Sequence, residues 1–371
     1  MLEKRLEQKY KLIESTMKQI LTMSLLILSF TDHIDTQKTK TTAMLMNLFL
    51  SNFKNYIKVT LVIMLIYGNS FAGNTDFDIK TFTYKYADNL EIKADVYGNT
   101  DNTIRPVVVW IHGGALILGH RKWVDKKMIS MLLEEGYLVV SIDYRLAPIT
   151  KLPLIIEDIE DAFLWIQKDG KELFGADASR IAVMGSSAGG YLTLTSGFRV
   201  VDRPKALVSF YGYGDLIGDW YSTPSKHQRH QGPQMSTEEA WNQVRGLPIT
   251  DSRNRDGNGS SFYKYCRRNG FWPEAVSGWN PHTEPQNFFP YMPIKNITSE
   301  YPPTMLIHGT DDTDVPYEQS VIMVQKLNEV GIPNKLISIS GAEHSLKGGD
   351  KVEIAKAYEL IIKFLNGYMK T

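Results

Sequence analysis

The chain has 371 residues, of which 43% are hydrophobic, so it is long enough to bury a sizeable core. Its 41 basic and 41 acidic side chains balance, which excludes a net field that would attract nucleic acid or an anionic membrane. The single cysteine, Cys266, excludes an intrachain disulfide. The sequence has neither a cluster of metal ligands nor a phosphate-cradling glycine loop, so we expect no metal and no other cofactor.

The first 72 residues form an N-terminal extension, and we expect one folded domain at 73–371. Two lysines in the extension precede an apolar run at 59–67, and small residues end the segment at Ala72. A basic start, an apolar centre and a small-residue end are typical of a secretory signal. We therefore predict a signal peptide at about 44–72, cleaved after Ala72, and a secreted or periplasmic protein.

This signal lies unusually deep in the chain, because export signals stand at the N-terminus. Met44 or Met46 is therefore a candidate for the true start of translation. An alternative interpretation makes 20–30 and 59–67 two short hydrophobic helices of an uncleaved membrane anchor. Both interpretations place the folded domain outside the cytosol.

The alternation of strand-like and helix-like segments after residue 73 predicts a doubly wound, mostly parallel α/β sheet. Two segments of alternating polarity, 81–86 and 90–97, predict an opening antiparallel hairpin. Further strands are expected at 107–111, 137–142, 180–184, 206–210, 304–308 and 335–339, with helices near 122–135, 154–168, 188–197, 317–330 and 350–365.

The strand at 107–111 runs into His112, Gly113, Gly114 and Ala115. Glycines let the backbone approach a reacting carbonyl closely, and main-chain N–H groups in such a loop stabilise a tetrahedral oxyanion. Gly113 and Gly114 are therefore candidate oxyanion-hole donors. The alternative is an ordinary turn after a strand.

The pentapeptide 185–189, Gly-Ser-Ser-Ala-Gly, stands between a strand-like run and a helix-like run. A serine on such a turn presents its hydroxyl above the sheet edge, the arrangement called a nucleophile elbow. Ser187 is the candidate nucleophile, and the amide of Ala188 is a third candidate oxyanion donor. A bare match of this kind is also compatible with a glycine- and serine-rich loop.

The stretch at about 216–300 interrupts the alternation and is rich in aromatic residues. Ser236 and Glu239 have the spacing of a capping box, and Gly246 is expected to end the helix that they begin. We expect most of the aromatic side chains to form a small core of this insertion and a few to line a substrate pocket.

Acidic residues and a histidine follow the last two predicted strands, where open α/β sheets place their active sites. Asp311, Asp312 and Asp314 follow 304–308, and His344 follows 335–339. The order serine, acid, histidine is that of a hydrolase triad, with His344 as the base. Periodicity alone does not separate the three neighbouring aspartates, and loop residues of these types are also common on solvated surfaces.

From about residue 106 onward, the chain resembles an α/β-hydrolase of the acetyl-esterase/lipase type. The resemblance rests on the sequence Asp-Tyr-Arg-Leu-Ala-Pro at 143–148, on the Ser-Ala-Gly-Gly form of the elbow and on the helix around 157–158. It implies Ser187 as nucleophile, His344 as base, an aspartate that orients the base, and a lid at about 216–300. Asp143 and Arg145 would hold the loop beneath the site.

Two features depart from the hormone-sensitive-lipase branch of that family: Ala115 replaces a third glycine, and Ser186 replaces an acidic residue. The acid region instead resembles dienelactone hydrolases and prolyl oligopeptidases, in which the acid stands three residues after a glycine. Counted from Gly309, this pattern favours Asp312, with Asp311 and Asp314 as alternatives.

Together these patterns predict a serine carboxylesterase that cleaves a small-molecule ester through an acyl-enzyme. We expect no nucleic-acid partner, and membrane contact only through the alternative anchor. A peptidase or amidase of prolyl-oligopeptidase type is the second interpretation, and a non-catalytic binding protein on a hydrolase fold is the third.

Overall fold

The structure, a computed structural model, describes residues 77–101, 103–232 and 234–370. The predicted signal at 44–72 and the alternative anchor segments lie outside the described residues. Across those described ranges, no helix combines the length and apolar character needed to cross a bilayer.

The core of the described part is an eight-stranded sheet with the spatial order β1-β2-β4-β3-β5-β6-β7-β8. The strands are β1 (Ile79–Ala87), β2 (Leu90–Tyr97), β3 (Arg105–Ile111), β4 (Leu138–Ile142), β5 (Ala176–Ser186), β6 (Ala206–Phe210), β7 (Thr304–Gly309) and β8 (Asn334–Ile339). The pairs β1–β2 and β2–β4 are antiparallel, and all the other neighbours are parallel. This confirms the predicted opening hairpin and the mostly parallel sheet.

Helices connect the strands and cover both faces of the sheet. They are α1 (Lys126–Glu134), α2 (Leu152–Phe174), α3 (Ala188–Arg199), α4 (Asp219–Ser222), α5 (Thr237–Asn242), α6 (Gly259–Asn269), α7 (Trp272–Ser277), α8 (Pro293–Asn296), α9 (Glu318–Glu329) and α10 (Lys351–Met369). Short 3₁₀ turns lie at Gln228–His230, Ser252–Asn254, Pro285–Asn287, Phe289–Tyr291 and His344–Leu346.

The alternation of side chains along β3 divides the core into two layers, because successive residues of a strand point to opposite faces. Val107, Val109 and Ile111 pack in the layer that contains the buried side chains of α2 and α3. Val108 and Trp110 pack in the layer of α1 and α10. A strand buried on both faces reads as a continuous apolar run, which is why it was recognisable in the sequence.

The register of the parallel strands brings the candidate loops together. Ile111 at the end of β3 pairs with Gly185 of β5, so the His112–Ala115 loop and the elbow leave the sheet side by side. Gly309 of β7 pairs with Ile339 of β8, and the loops that follow them are likewise neighbours. All four loops therefore lie at the carboxyl edge of one sheet.

Several helix boundaries differ from the sequence predictions, and α2, for example, runs to Phe174 rather than ending near residue 168. Helix α1 begins at Lys126 rather than near residue 122, because the side chain of Asp125 caps it by accepting a hydrogen bond from the Met128 N–H. The capping box of Ser236 and Glu239 begins α5 as predicted. Gly246 does not end that helix, so this prediction was wrong. The last turn tightens instead, with the Gln243 N–H donating to the Ala240 carbonyl.

Aromatic side chains of the segment between β6 and β7 pack mainly on one another. The Tyr221 ring stacks on Trp272 with ring centroids 3.9 Å apart, and Trp220 stacks on the same tyrosine at 3.7 Å. The guanidinium carbon of Arg267 lies 4.6 Å from the centroid of the Tyr221 ring. These aromatic side chains therefore pack on one another, as the composition predicted, but they are continuous with the core layer of α2 and α3 rather than a separate core.

Candidate active site

The turn between β5 and α3 places Ser187 above the sheet edge. Ser187 has φ 56° and ψ −119°, a conformation that costs energy for a residue other than glycine and is common at active sites. Its N–H donates to the Phe210 carbonyl at 2.9 Å, which ties the turn to β6. A Cβ added at Gly189 would lie 2.0 Å from the Ile111 carbonyl oxygen, so only glycine allows this close approach to β3.

The structure brings Ser187, His344 and Asp312 together from three separate loops. The Nε2 atom of His344 lies 3.1 Å from the Ser187 Oγ. The Nδ1 atom of the same ring lies 2.7 Å from Asp312 Oδ2. A hydroxyl, an imidazole and a carboxylate in this order can pass a proton from the hydroxyl to the ring.

Asp312 is held as a carboxylate by its surroundings. Its Oδ1 accepts hydrogen bonds from the N–H groups of Asp314 and Val315, each at 2.9 Å. Burial by itself would raise the pKa of Asp312, but hydrogen bonds from His308 and His344 outweigh it and hold the pKa well below its usual range. The side chain is thus ionised and fixed toward His344.

The other two candidate aspartates lie elsewhere. Asp311 is exposed, and its carboxylate accepts a hydrogen bond from the neighbouring Thr310 hydroxyl. Asp314 Oδ2 lies 3.8 Å from His344 Nε2, on the side of the ring that faces Ser187. Of the three, Asp312 is the one whose carboxylate accepts a hydrogen bond from His344 Nδ1.

The loop after β3 lies directly against the elbow. A Cβ added at Gly113 would lie 2.7 Å from the Ser186 carbonyl oxygen. The Gly114 carbonyl accepts the N–H groups of Ile117 and Leu118, which folds the loop into a tight turn. Within the described residues, the N–H groups of Gly113, Gly114 and Ala188 donate to no other protein group. These three donors are therefore available to a ligand oxygen.

The histidine of this loop supports the backbone rather than the chemistry. The His112 ring stacks on Tyr144 with centroids 4.3 Å apart, and the Tyr144 hydroxyl donates to the His112 carbonyl at 3.0 Å. Burial lowers the pKa of His112 to about 4, so the ring is neutral at physiological pH. The carbonyl of Ala115, the residue that follows the two glycines, accepts a hydrogen bond from Trp272 Nε1 at 2.9 Å.

Asp143 and Arg145 lie beneath the site in separate ion pairs. Asp143 accepts hydrogen bonds from the main-chain N–H and the guanidinium of Arg121, at 2.6 and 2.7 Å. Arg145 donates to both oxygens of the buried Asp158. Both residues therefore anchor the segment after β4 and stay away from Ser187 and His344.

Sequence reasoning assigned no role to four side chains that contact His344 or its neighbour Asp314. Tyr211 packs edge-on against the His344 ring at 4.9 Å, and its position directly after β6 was the available signal. Burial raises the pKa of Tyr211 to about 12, so its hydroxyl stays protonated. The others, His230, Tyr263 and Arg267, come from the segment between β6 and β7 and bind Asp314.

A cavity of about 410 Å³ opens beside the residues that flank the nucleophile and the base. Its lining includes Ser186, Tyr211, Ser345, Trp123 and Tyr358. The size suits a small organic molecule. Among the described residues, no group of His, Cys, Asp and Glu side chains is arranged to hold a metal ion.

Comparison with protein families finds that a model described as alpha/beta hydrolase fold matches residues 108–347. Among curated proteins, the chain is 29% identical over 334 residues to the non-reducing polyketide synthase pkbA of Emericella nidulans. That match covers 74% of the chain and 13% of the synthase, so the chain spans only a small part of this relative.

Among solved structures, the chain is similar to a protein of unknown function from Staphylococcus aureus, with a TM-score of 0.62 and 22% identity. That match covers 78% of this chain and 99% of the other. It is also similar to an acetyl ester-xyloside bifunctional hydrolase from Caldicellulosiruptor lactoaceticus, with a TM-score of 0.57, 20% identity and coverage of 78% and 96%. These similarities establish a common fold.

Proposed function

The chain belongs to the alpha/beta hydrolase fold family, and from this premise we propose that it is a serine hydrolase that cleaves small carboxylic esters through an acyl-enzyme. The observation that carries the proposal is the position of the His344 ring, 3.1 Å from Ser187 Oγ and 2.7 Å from Asp312 Oδ2. Nucleophile, base and orienting acid are then assigned to Ser187, His344 and Asp312.

In the proposed acylation step, Ser187 Oγ attacks the ester carbonyl while His344 Nε2 takes the hydroxyl proton. Asp312 accepts the Nδ1–H of His344, which keeps the correct tautomer and stabilises the imidazolium. The carbonyl oxygen becomes an oxyanion that the N–H groups of Gly113, Gly114 and Ala188 stabilise. Collapse of this intermediate expels the alcohol, which receives its proton from His344 Nε2.

Deacylation follows by the same route in reverse. A water molecule takes the place of the alcohol, and His344 Nε2 removes its proton as the oxygen attacks the acyl carbonyl. The released acid leaves Ser187 protonated again. The residues of this chain supply each proton transfer, so the reaction as proposed uses no cofactor.

A fluorophosphonate ester tests this assignment, because it phosphonylates an activated serine and releases fluoride. We expect the label on the peptide that contains Ser187, together with hydrolysis of nitrophenyl acetate that the label abolishes. Faster cleavage of a peptide amide than of any ester would favour the peptidase or amidase. Absence of both labelling and hydrolysis would favour a binding protein.

We expect a preference for acetyl to butyryl esters that falls off by octanoyl. The insertion contacts the oxyanion loop through Trp272, and the cavity beside Ser186 is only about 410 Å³. Each methylene that fits would add about 1 kcal/mol of binding, and longer chains would meet bulky side chains. Relative kcat/KM values for nitrophenyl esters from acetyl to decanoyl measure this preference.

Two outcomes would contradict this size limit. One is a rate that rises steadily up to decanoyl esters. The other is a jump in rate when the substrate passes its solubility limit, which is the behaviour of a lipase with a mobile lid. A small pocket of fixed size predicts neither.

The proposed export of the protein also makes a specific prediction. N-terminal sequencing of the mature protein should begin at Gly73, and a chain shortened to that residue should be folded and fully active. The expectation rests on the layout of 44–72, with its apolar run and small-residue end. Mature protein that retains residues before Lys54 would favour the membrane anchor.

A further inference from the structure

Asp314 is a buried carboxylate beside the proposed active site that the mechanism above does not use. It lies in the loop after β7, and only 8% of the residue is exposed. Its Oδ2 lies 3.8 Å from His344 Nε2, the same ring atom that lies 3.1 Å from Ser187 Oγ. A second carboxylate therefore lies near the ring nitrogen that would exchange protons with the substrate.

The other carboxylate oxygen of Asp314 is fully occupied. Oδ1 accepts the Tyr263 hydroxyl at 2.6 Å, His230 Nε2 at 2.8 Å and the Arg267 guanidinium at 3.0 Å. The Nδ1 of His230 is bonded to the Ser225 hydroxyl, which leaves its Nε2 as the donor to Asp314. These three contacts come from the insertion and fix the carboxylate in one orientation.

Oδ2, by contrast, retains acceptor capacity. Within the described ranges it accepts no hydrogen bond, and the nitrogens of ion-pairing side chains near it are Arg229 Nη2 at 3.5 Å and His344 Nε2 at 3.8 Å. About 11% of the Asp314 side chain is exposed. An ionised carboxylate oxygen has two lone pairs, so it has room for a donor that enters the site.

The negative charge of Asp314 already has cationic partners within the protein, which indicates the kind of donor. Arg267 pairs with Asp314, while Arg229 pairs with Glu343 at 2.8 Å and also approaches Asp314. Two guanidinium groups thus face the carboxylates of Asp314 and Glu343, so Asp314 already has cationic partners and does not need an ammonium group from the substrate. Burial alone would raise the pKa of Asp314, but the His230 hydrogen bond and the nearby positive charges hold it well below its usual range. A neutral hydroxyl suits this ionised acceptor.

The position of Oδ2 relative to His344 indicates where that hydroxyl is on the substrate. His344 Nε2 gives its proton to the leaving alcohol, so the alcohol oxygen must lie within hydrogen-bond reach of Nε2. Neighbouring oxygens of a vicinal diol lie about one hydrogen-bond length apart. A hydroxyl on the carbon next to the esterified one would then reach Asp314 Oδ2.

We propose that Asp314 binds a hydroxyl of the leaving alcohol, and that the substrates are esters of polyols with a free hydroxyl beside the acylated oxygen. This inference rests on the function proposed above. A hydrogen bond to a charged, largely buried acceptor should favour such substrates by on the order of tenfold or more in kcat/KM.

Two matched acetates test the proposal on the unaltered protein: ethylene glycol monoacetate and 2-methoxyethyl acetate, in which a methyl group replaces the hydrogen that the second oxygen would donate. We expect the monoacetate to be hydrolysed on the order of tenfold faster or more in kcat/KM. Equal rates for the two esters would overturn the proposal. Because this comparison needs no variant, it stays decisive even if substitutions at Asp314 prevent folding.

Asp314→Asn then assigns the preference to this residue. The amide keeps an acceptor for the Oδ1 partners but can place a donor in the Oδ2 position, so the ratio between the two acetates should fall to about one. Asp311→Asn, the exposed neighbour, should keep the wild-type ratio. A ratio that survives in Asp314→Asn would show that another group binds the hydroxyl.

Three further substrates separate the causes of failure. If nitrophenyl acetate is not hydrolysed at all, the proposed function itself fails. If it is hydrolysed while the two alkyl acetates react equally, only the role of Asp314 fails. A preference for nitrophenyl lactate over nitrophenyl propionate without the diol preference would place the hydroxyl on the acyl group and contradict the leaving-group assignment.

Discussion

Ser187→Ala is expected to lower the turnover of nitrophenyl acetate by on the order of 10⁴-fold or more. The hydroxyl oxygen forms the bond to the acyl group. Because the members of a triad act as a unit, His344 and Asp312 contribute little to the rate without it. What activity remains would come from the oxyanion donors and from substrate binding. Single-turnover kinetics with mass detection of the acyl-enzyme measures both the rate and the covalent intermediate.

Ser186→Ala is the matched control for this substitution. Ser186 is the preceding residue of the same turn, but His344 Nε2 is hydrogen-bonded to the Ser187 hydroxyl. The control should retain the acyl-enzyme and most of the turnover. An inactive Ser186→Ala together with an active Ser187→Ala would show that the elbow has been assigned to the wrong serine.

Asp312→Asn is expected to cost several orders of magnitude in kcat, the second largest effect. The Asp312 carboxylate accepts a hydrogen bond from His344 Nδ1 at 2.7 Å and faces the positive charge that develops on the ring. An amide removes that charge and can donate to Nδ1, which favours the tautomer that cannot accept the serine proton. The measurement is kcat for nitrophenyl acetate, with circular dichroism to show that the variant is folded.

Asp311→Asn is the control, because that side chain is exposed and bonded to Thr310. It should keep nearly all of the activity. Equal and mild losses for substitutions at Asp311, Asp312 and Asp314 would move the orienting acid elsewhere. Glu343, which precedes the base, and Asp215 would then be the next residues to substitute.

The sequence by itself determined the order and type of the main elements. Strand β6 was predicted at its observed bounds, 206–210, because a short apolar run between turn residues is typical of a buried strand. The capping box at Ser236 was likewise recognisable, since its two hydrogen bonds connect residues only three positions apart. Features of this kind depend only on residues that are close in sequence. They could therefore be predicted, and they placed the candidate loops at one edge of the sheet.

The local sequence pattern predicted the wrong end for helix α5, because a helix can end in more than one way. Gly246 has a positive φ, but α5 already stops at Asn242. Its final carbonyls are satisfied by bonds three residues apart, and these need no special residue. The competition between these two endings depends on packing around the helix, which a sequence motif does not describe.

Only the tertiary structure decided what surrounds the histidine. Asp311, Asp312 and Asp314 are nearly adjacent in sequence, but the loop turns one carboxylate toward Nδ1 of His344, one toward Nε2 and one toward solvent. The residues that hold Asp314 are 84, 51 and 47 positions away along the chain. The direction of a loop side chain is set by such distant contacts, because no helical or strand period fixes it locally. For this reason the sequence could nominate the candidate residues, whereas the fold alone shows how their atoms meet.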